Sequence, residues 1–413
     1  MRFQAPRGTE DILPGQSERW VWLEATFRRV CSLYNYREIR TPTFEDTNLF
    51  VRLGEGTDVV SKEMYTFSDR GGRSNSLKPE GTAPAIRAYL EHSLGAPGQI
   101  TKLFYITPAF RYGRPQKGRL RESHQTGVEF IGSDSPDADA EVIELTARFY
   151  KELGMNSVTV KLNSLGESEC RARFRDALLE FARPALADMP EEFRQRSERN
   201  PMRILDSKDP ALQEAMLGAP VIGDFLEPES RAHFETILER LQNLVVNYEI
   251  EPRLVRGLDY YTKTVFEVQS KSLGAQSSLC GGGRYDGLVE ECGGPDTPAV
   301  GVGMGIERAL MAIDNRSAEL PPSLDAFAVC LTECRNDFAR VLKDLRKAGV
   351  RVESDPDYRS AKSQFRQADK SGALFAIVIG DEELTSGQAT IRDLRESTEK
   401  KVALDALAAL LLK

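Results

Sequence analysis

Leu103-Phe104-Tyr105-Ile106-Thr107-Pro108-Ala109-Phe110-Arg111 and, a short loop later, Thr126-Gly127-Val128-Glu129-Phe130-Ile131 read as two long strands facing each other. Aromatic and β-branched side chains fill both stretches, and such side chains suit a pleated, half-buried surface. The connector, Arg114-Pro115-Gln116-Lys117-Gly118-Arg119-Leu120-Arg121, is polar and strongly basic. A link this short carries an antiparallel pair, since parallel neighbours need a long crossover. The upstream chain is therefore expected to be antiparallel α+β.

Outward from this pair, Trp20, Leu23, Phe27 and Val30 recur at helical spacing and predict a helix over 17–30. An extended stretch after Tyr34-Asn35-Tyr36 ends at Thr41-Pro42, where proline stops a helix and suits an edge. Residues 64–67 and 73–77 read as strands about the Arg70-Gly71-Gly72 turn, and a helix follows Thr82, which looks like its N-cap. From Asn163 to about Val246 the pattern is helical and charged, an insertion at about 167–250 between sheet segments. Strand-like sequence resumes over 261–268 and again at Leu279-Cys280.

The proline- and serine-containing stretch at 316–324 reads as a linker between a domain at 1–315 and another at 325–413. In the latter, strand and helix patterns alternate over 326–331, 337–348, 350–353, 360–371, 374–379, 389–393 and 403–412, predicting a small α/β unit with a largely parallel sheet. A chain of 413 residues exceeds what one core usually supports, in line with such a division.

A net charge of −8 argues against nonspecific nucleic-acid affinity through bulk charge, though a local basic groove on an acidic body remains compatible with RNA. Six cysteines are scattered without a second close pair to complete a tetrahedral zinc site, so buried free thiols are expected and no metal is assigned to protein side chains. No apolar run reaches membrane-spanning length, and Met1-Arg2-Phe3-Gln4-Ala5-Pro6-Arg7 lacks a signal-peptide core, which points to the cytoplasm.

Four stretches carry candidate chemistry. The basic connector offers planar guanidinium forks suited to phosphate. Val255-Arg256-Gly257-Leu258-Asp259-Tyr260-Tyr261-Thr262 sets charged residues just before paired tyrosines, which suggests a polar pocket. Cys280-Gly281-Gly282-Gly283-Arg284-Tyr285-Asp286-Gly287 matches neither a phosphate loop nor a dinucleotide fingerprint, and its glycines suggest close backbone approach to a ligand. Gly301-Val302-Gly303-Met304-Gly305-Ile306-Glu307-Arg308 places small residues before a helix bearing an arginine.

In this order, the segments resemble the histidine–tRNA ligase family, class II aminoacyl-tRNA synthetases, along nearly the whole chain. Arg7-Gly8-Thr9-Glu10-Asp11 is similar to the family's N-terminal signature, 36–45 to motif 1, 110–125 to motif 2 and 301–308 to motif 3. Pro79-Glu80-Gly81-Thr82-Ala83 resembles its amino-acid-binding loop. The segments at 254–261 and 279–288 resemble two that are peculiar to histidine enzymes.

The resemblance implies a homodimer built on motif 1 that uses ATP, with Mg2+ bound to it, to join L-histidine to histidine tRNA through a histidyl-adenylate, forming AMP and diphosphate. It further implies that Glu80, Thr82 and Gln125 hold the α-amino group, and that Glu129 and Tyr261 hold the imidazole, beside Tyr260. By the same carry-over Arg111, Arg119, Arg256 and Arg308 contact ATP, with Arg256 and Arg111 the catalytic charges. Arg114, Gln116 and Lys117 lie where the acceptor end of tRNA would reach, and the C-terminal unit would bind the anticodon stem. Three positions depart from the family pattern: Gly113 replaces a Glu and Ser123 a Phe that both contact adenine, and Lys78 replaces an Arg. The alternative is the family's non-catalytic paralogue, the histidine-binding regulatory subunit of ATP phosphoribosyltransferase. It generally lacks both the arginine segment that here begins at Arg256 and the C-terminal unit.

Overall fold

The computed structural model describes residues 3–52, 59–96, 98–114, 120–187, 189–205, 209–255, 260–274, 277–313 and 324–412. Contacts divide the chain into two compact units, Met1–Ala318 and Glu319–Lys413.

In the first unit the strands are β1 Arg37–Glu38, β2 Phe44–Asp46, β3 Tyr65–Ser68, β4 Ser74–Leu77, β5 Thr101–Phe110, β6 Glu122–Ile131, β7 Val158–Ser164, β8 Tyr248–Ile250, β9 Thr262–Ser270, β10 Ser278–Arg284 and β11 Ala299–Gly305. Eight of them form one sheet in the order β1-β5-β6-β11-β10-β9-β7-β8. The pairs are antiparallel except at the two edges, β1/β5 and β7/β8. The order β2-β4-β3 makes a small separate sheet. Helices are α1 Ser17–Leu33, α2 Thr47–Val51, α3 Thr82–Glu91, α4 Pro136–Glu152, α5 Ser168–Leu186, α6 Glu191–Arg199, α7 Pro210–Ala215, α8 Pro228–Asn243, α9 Leu288–Glu291 and α10 Ile306–Ala312. The insertion is α5 to α8, between β7 and β8.

Strand periodicity sorts the large sheet into two faces. Phe104, Val128, Phe130, Val300 and Val302 pack against Leu23, Phe27 and Val30 of α1 and Phe149 of α4. Their neighbours Leu103, Ile131 and Ala299 turn the other way, into a second core with Ala83 and Ile86 of α3 and Phe174 of α5. Glu129 lies on that second face.

Two details differ from the sequence reading. The first residue of α3 is Thr82 itself and Gly81 is the N-cap, and the Glu80 carboxylate takes the first two N–H groups of the helix, those of Thr82 and Ala83. The three glycines at 281–283 lie inside β10, and at Gly282 the close approach is internal: a Cβ there would sit 2.4 Å from the Gly301 carbonyl and 2.7 Å from the Phe266 ring.

The second unit holds β12 Ala326–Cys330, α11 Arg335–Lys347, β13 Val352–Ser354, α12 Ala361–Lys370, β14 Phe375–Ile379, α13 Asp381–Ser386, β15 Gln388–Asp393, β16 Glu399–Ala403 and α14 Leu407–Leu411. Its sheet runs β13-β12-β14-β15-β16, parallel over the first three strands and antiparallel over the last two. The sheet is thus mixed rather than largely parallel. Glu399-Lys400-Lys401 is charged and exposed, so β16 shows no apolar alternation, as befits a protected edge. Cys31, Cys170, Cys280 and Cys330 are buried, but Cys334 is exposed because the apolar run ends before it, at the start of α11.

Candidate active site

Glu129 is the centre of the polar cluster on the second face. Its side chain is wholly buried, at 0% exposure, on the interior strand β6. Tyr105 on β5 donates to Oε1 at 3.0 Å, and Tyr285, just past β10, donates to Oε2. Burial pushes the Glu129 carboxyl up to about 8, against the pull of the two phenols and Thr82. Register explains how the sheet admits a carboxylate here. Glu129 pairs with Gly301 of β11, and a Cβ on Gly301 would lie 1.9 Å from Oε2. The Tyr105 ring is seated the same way, since a Cβ on Gly81 or Gly127 would come within 2.5 Å of it.

The N-terminus of α3 forms one wall. Glu80 accepts the N–H groups of Thr82 at 2.6 Å and Ala83 at 2.8 Å, and Thr82 Oγ1 lies 3.4 Å from the Tyr105 hydroxyl. Burial raises the Glu80 carboxyl above its ordinary range, opposed by those backbone donors and by the charge of Arg111. Arg111 reaches this loop directly, its Nε donating to the Pro79 carbonyl at 2.8 Å. Lys78, just before, is buried, with Nζ 3.2 Å from both oxygens of Thr41, and burial lowers it to about 8.

Tyr260 and Tyr261 supply another wall. Both are buried, their ring centroids are 4.7 Å apart, and Tyr260 meets Tyr285 edge-on at 5.8 Å. Glu129, Tyr285, Tyr260 and Tyr261 are therefore successive contacts in one cluster. Gln125, two register pairs from Gly127 along β6, pairs with Gly305 and Thr107. From the helix after it, Arg308 donates to the Ser278 carbonyl at 2.6 Å, and Glu307 takes both the backbone N–H and the Nδ1 of His124. Burial works against a charged His124 ring, but Glu307 outweighs it and the imidazole is raised above its ordinary value.

Arg114 is exposed in the connector that follows β5. Arg256, Arg119, Gln116 and Lys117 lie outside the described residues. The base of the basic connector is held by the N-terminal signature, where the Gly8 carbonyl accepts from the Arg121 N–H at 2.7 Å. At the departing positions, Ser123 Oγ turns to the Ala109 carbonyl at 3.4 Å and Gly113 N–H to the Arg111 carbonyl at 2.8 Å.

Sequence reasoning missed Tyr105 and Tyr285 as partners of Glu129. Tyr105 looked like any strand aromatic, while Tyr285 had a signal in its glycine-rich, charged surroundings. It also missed the brace behind Tyr285. Arg284, fully buried, donates to Asp139 of α4, to Asp286 and to the Ser133 and Ser135 carbonyls. A register shift at Gly283/Arg284 re-aims the chain just before Tyr285, as bulges beside functional sites commonly do. A separate hollow of about 270 Å³, lined by Asp46, Asn48, Leu49, Arg52, Glu291 and Cys292, shares none of these side chains.

Residues 8–309 match the family model described as Histidyl-tRNA synthetase, and residues 325–413 match the one described as Anticodon binding domain. The chain belongs to the histidyl-tRNA synthetase family. It is 48% identical over 411 residues to the histidine–tRNA ligase of Thermoanaerobacter pseudethanolicus, covering 98% of each chain. It is 46% identical over 418 residues to that of Bacillus velezensis, covering 100% of this chain and 99% of the other. The fold superposes on a crystal structure of apo S. aureus histidyl-tRNA synthetase with a TM-score of 0.82 at 37% identity, each chain covered in full. The architecture is thus the antiparallel class II sheet with a helical insertion and an α/β anticodon-binding domain. Among the described residues no helix is long and apolar enough to cross a membrane.

Proposed function

We propose that this chain ligates L-histidine to histidine tRNA through a histidyl-adenylate, consuming ATP and forming AMP and diphosphate. The observation that carries this reading is the buried carboxylate of Glu129, oriented by two phenols on the face of the sheet where Tyr260 and Tyr261 also lie.

Glu129 and Tyr261 would hold the two imidazole nitrogens, with Tyr260 against the ring. A buried acid and phenol that pair with a ring N–H and a ring nitrogen are left unsatisfied by an apolar side chain of similar size, and such sites discriminate strongly. Glu80 and Thr82, with Gln125, would take the α-ammonium. Glu80 already caps α3, and a carboxylate keeps further lone pairs for a second donor.

With the amino acid so held, one oxygen of its carboxylate attacks the α-phosphorus of ATP in line. A P–O bond forms as the bond to diphosphate breaks, and the electron pair leaves with diphosphate. The protein's part is to orient the reactants and neutralise charge. Arg111, which reaches the loop before α3, and Arg308 of α10, which reaches the start of β10, fit that task. Arg256 and Arg119 are proposed to join them. Mg2+ bound to ATP would supply shielding of its phosphates, and no protein side chain is assigned to hold it. The tRNA ribose hydroxyl then attacks the adenylate carbonyl and AMP departs. Arg114, Gln116 and Lys117 are proposed to meet the acceptor end, residues 36–45 to form a homodimer interface, and the cytoplasm to be the compartment. The functional division is proposed as 1–315, with the insertion at about 167–250, a linker at 316–324, and 325–413.

The test is ATP–diphosphate exchange by the purified chain. Exchange that depends on histidine is expected. Histidine binding without exchange would instead favour the regulatory subunit.

A further inference from the structure

In the second unit β12 lies between β13 and β14 and is parallel to both. The chain crosses from β12 through α11 to β13 on one side, then through α12 to β14 on the other. Phe338, Leu342 and Leu345 of α11 pack on one face of this sheet, and Phe365 and Ala368 of α12 on the opposite face. Open α/β sheets bind ligands outside the carboxyl ends of their strands where the strand order reverses in this way. The residues at that edge are those following Cys330, Ser354 and Ile379.

The segment after β13 is unusual. Tyr358 has φ +49°, a left-handed conformation that is strained for a bulky side chain and that glycine would adopt freely. Its surroundings hold it there. Asp355, wholly buried, accepts from the N–H groups of Asp357 and Arg359, from the Arg359 guanidinium and from Gln367. Gln364, also buried, bonds both backbone groups of Cys330 and the Arg359 carbonyl, tying this loop to the end of β12. The fixed loop presents an aromatic ring at 37% exposure. Arg335, the first residue of α11, lies with Cζ 4.1 Å from the centre of that ring and donates to Cys330 Sγ at 2.9 Å, while Phe338 meets the ring edge-on.

A rigid aromatic paired with a guanidinium plane suits an unstacked nucleobase, because every base has a π face. The charges around it favour a base over a phosphate at this point. Glu333 and Asp357 flank the pair and are 94% and 72% exposed, whereas Lys362 and Arg366 stand exposed further along α12. We propose that Tyr358 and Arg335 form a stacking platform that receives an unpaired base of the tRNA anticodon loop, with Lys362 and Arg366 meeting the adjoining backbone. This rests on the ligase reading above and names the residues through which the C-terminal unit meets its tRNA.

The test uses the full chain carrying Tyr358→Gly, a substitution that keeps the loop's backbone conformation while removing the ring. Charging of full-length histidine tRNA should show a KM roughly ten- to a hundredfold higher, the range expected for losing one stacked base. Histidine-dependent diphosphate exchange should stay at the wild-type rate, and so should charging of an acceptor-stem minihelix that has no anticodon arm. Tyr358→Phe should retain most of the affinity. An unchanged KM for full-length tRNA in Tyr358→Gly, with exchange intact, overturns the platform and leaves the ligase reading standing. An equal loss on tRNA and minihelix overturns it too, because the defect would then not lie at the loop. Absence of exchange in the unsubstituted chain sinks the ligase reading itself.

Discussion

Tyr285→Phe tests the centre of the proposed histidine pocket with the loss of a single oxygen. The ring remains to pack against Tyr260, 5.8 Å away, and Glu129 keeps the Tyr105 hydroxyl at 3.0 Å. What disappears is one donor to a fully buried carboxylate. A hydrogen bond to a charged group contributes about 1.5–3 kcal/mol, which corresponds to roughly a ten- to hundredfold loss in kcat/KM for histidine. The loss also depends on pH in a predictable sense. Burial already pushes Glu129 up to about 8, and the phenol favours its ionised form, so removing the phenol pushes the value higher still. The rise of histidine kcat/KM with pH should therefore shift to higher pH in the variant. The stability sign follows from the same shift. A carboxyl raised in the folded state contributes stability that is complete below its ordinary range and is lost as pH rises through about 8. Diphosphate exchange measured from about pH 6 to about pH 9.5, varying histidine and ATP separately, reads both effects. An unchanged pH profile, or an ATP KM that rises as much as the histidine KM, would refute the role given to this contact.

Gly301→Ala should be damaging out of proportion to its size. The new Cβ would lie 1.9 Å from Glu129 Oε2 and 2.6 Å from the Val128 carbonyl, so a lower melting temperature, by about 1–3 kcal/mol of overpacking, should accompany loss of histidine-dependent exchange. Wild-type melting and histidine KM would contradict the geometry. The His124–Glu307 pair should impose a pH dependence of its own. Because the ring is raised above its ordinary value, the pair's stabilisation is full below about pH 6.5 and is lost as pH rises through the shifted value. The melting-temperature gap between the unsubstituted chain and Glu307→Gln should be widest at low pH and narrow above it. Trp fluorescence offers a local readout, since Trp20 meets the His124 ring at 4.9 Å, and a gap independent of pH would count against the pair.

Much of the fold was legible because strand and helix patterns are local. The periodicity of 17–30 anticipated α1 nearly residue for residue, and the turn at Arg70-Gly71-Gly72 lies between β3 and β4 as expected. Readings failed where a local pattern had two physical explanations. Glycines at 281–283 can serve a ligand or a crowded sheet, and it takes the neighbouring Gly301 carbonyl and Phe266 ring to show that Gly282 answers a crowded sheet. Thr82 has the chemistry of an N-cap, but the helix begins at Thr82, and Glu80, two residues back, takes the N–H groups of Thr82 and Ala83. A charged edge such as β16 carries no apolar alternation to read.

The amino-acid order alone determined the family, because its motifs are contiguous words that survive without coordinates; the paired tyrosines stood out by residue type, and Glu129 only through the family resemblance. Tertiary structure alone decided that Glu129 is braced by Tyr105 and Tyr285, and that Arg284 meets Asp139 behind them. Those partners are 24, 156 and 145 residues apart in the chain, and only sheet register brings them within hydrogen-bond reach. Hydrogen bonds act over about 3 Å in space and carry no trace along the sequence.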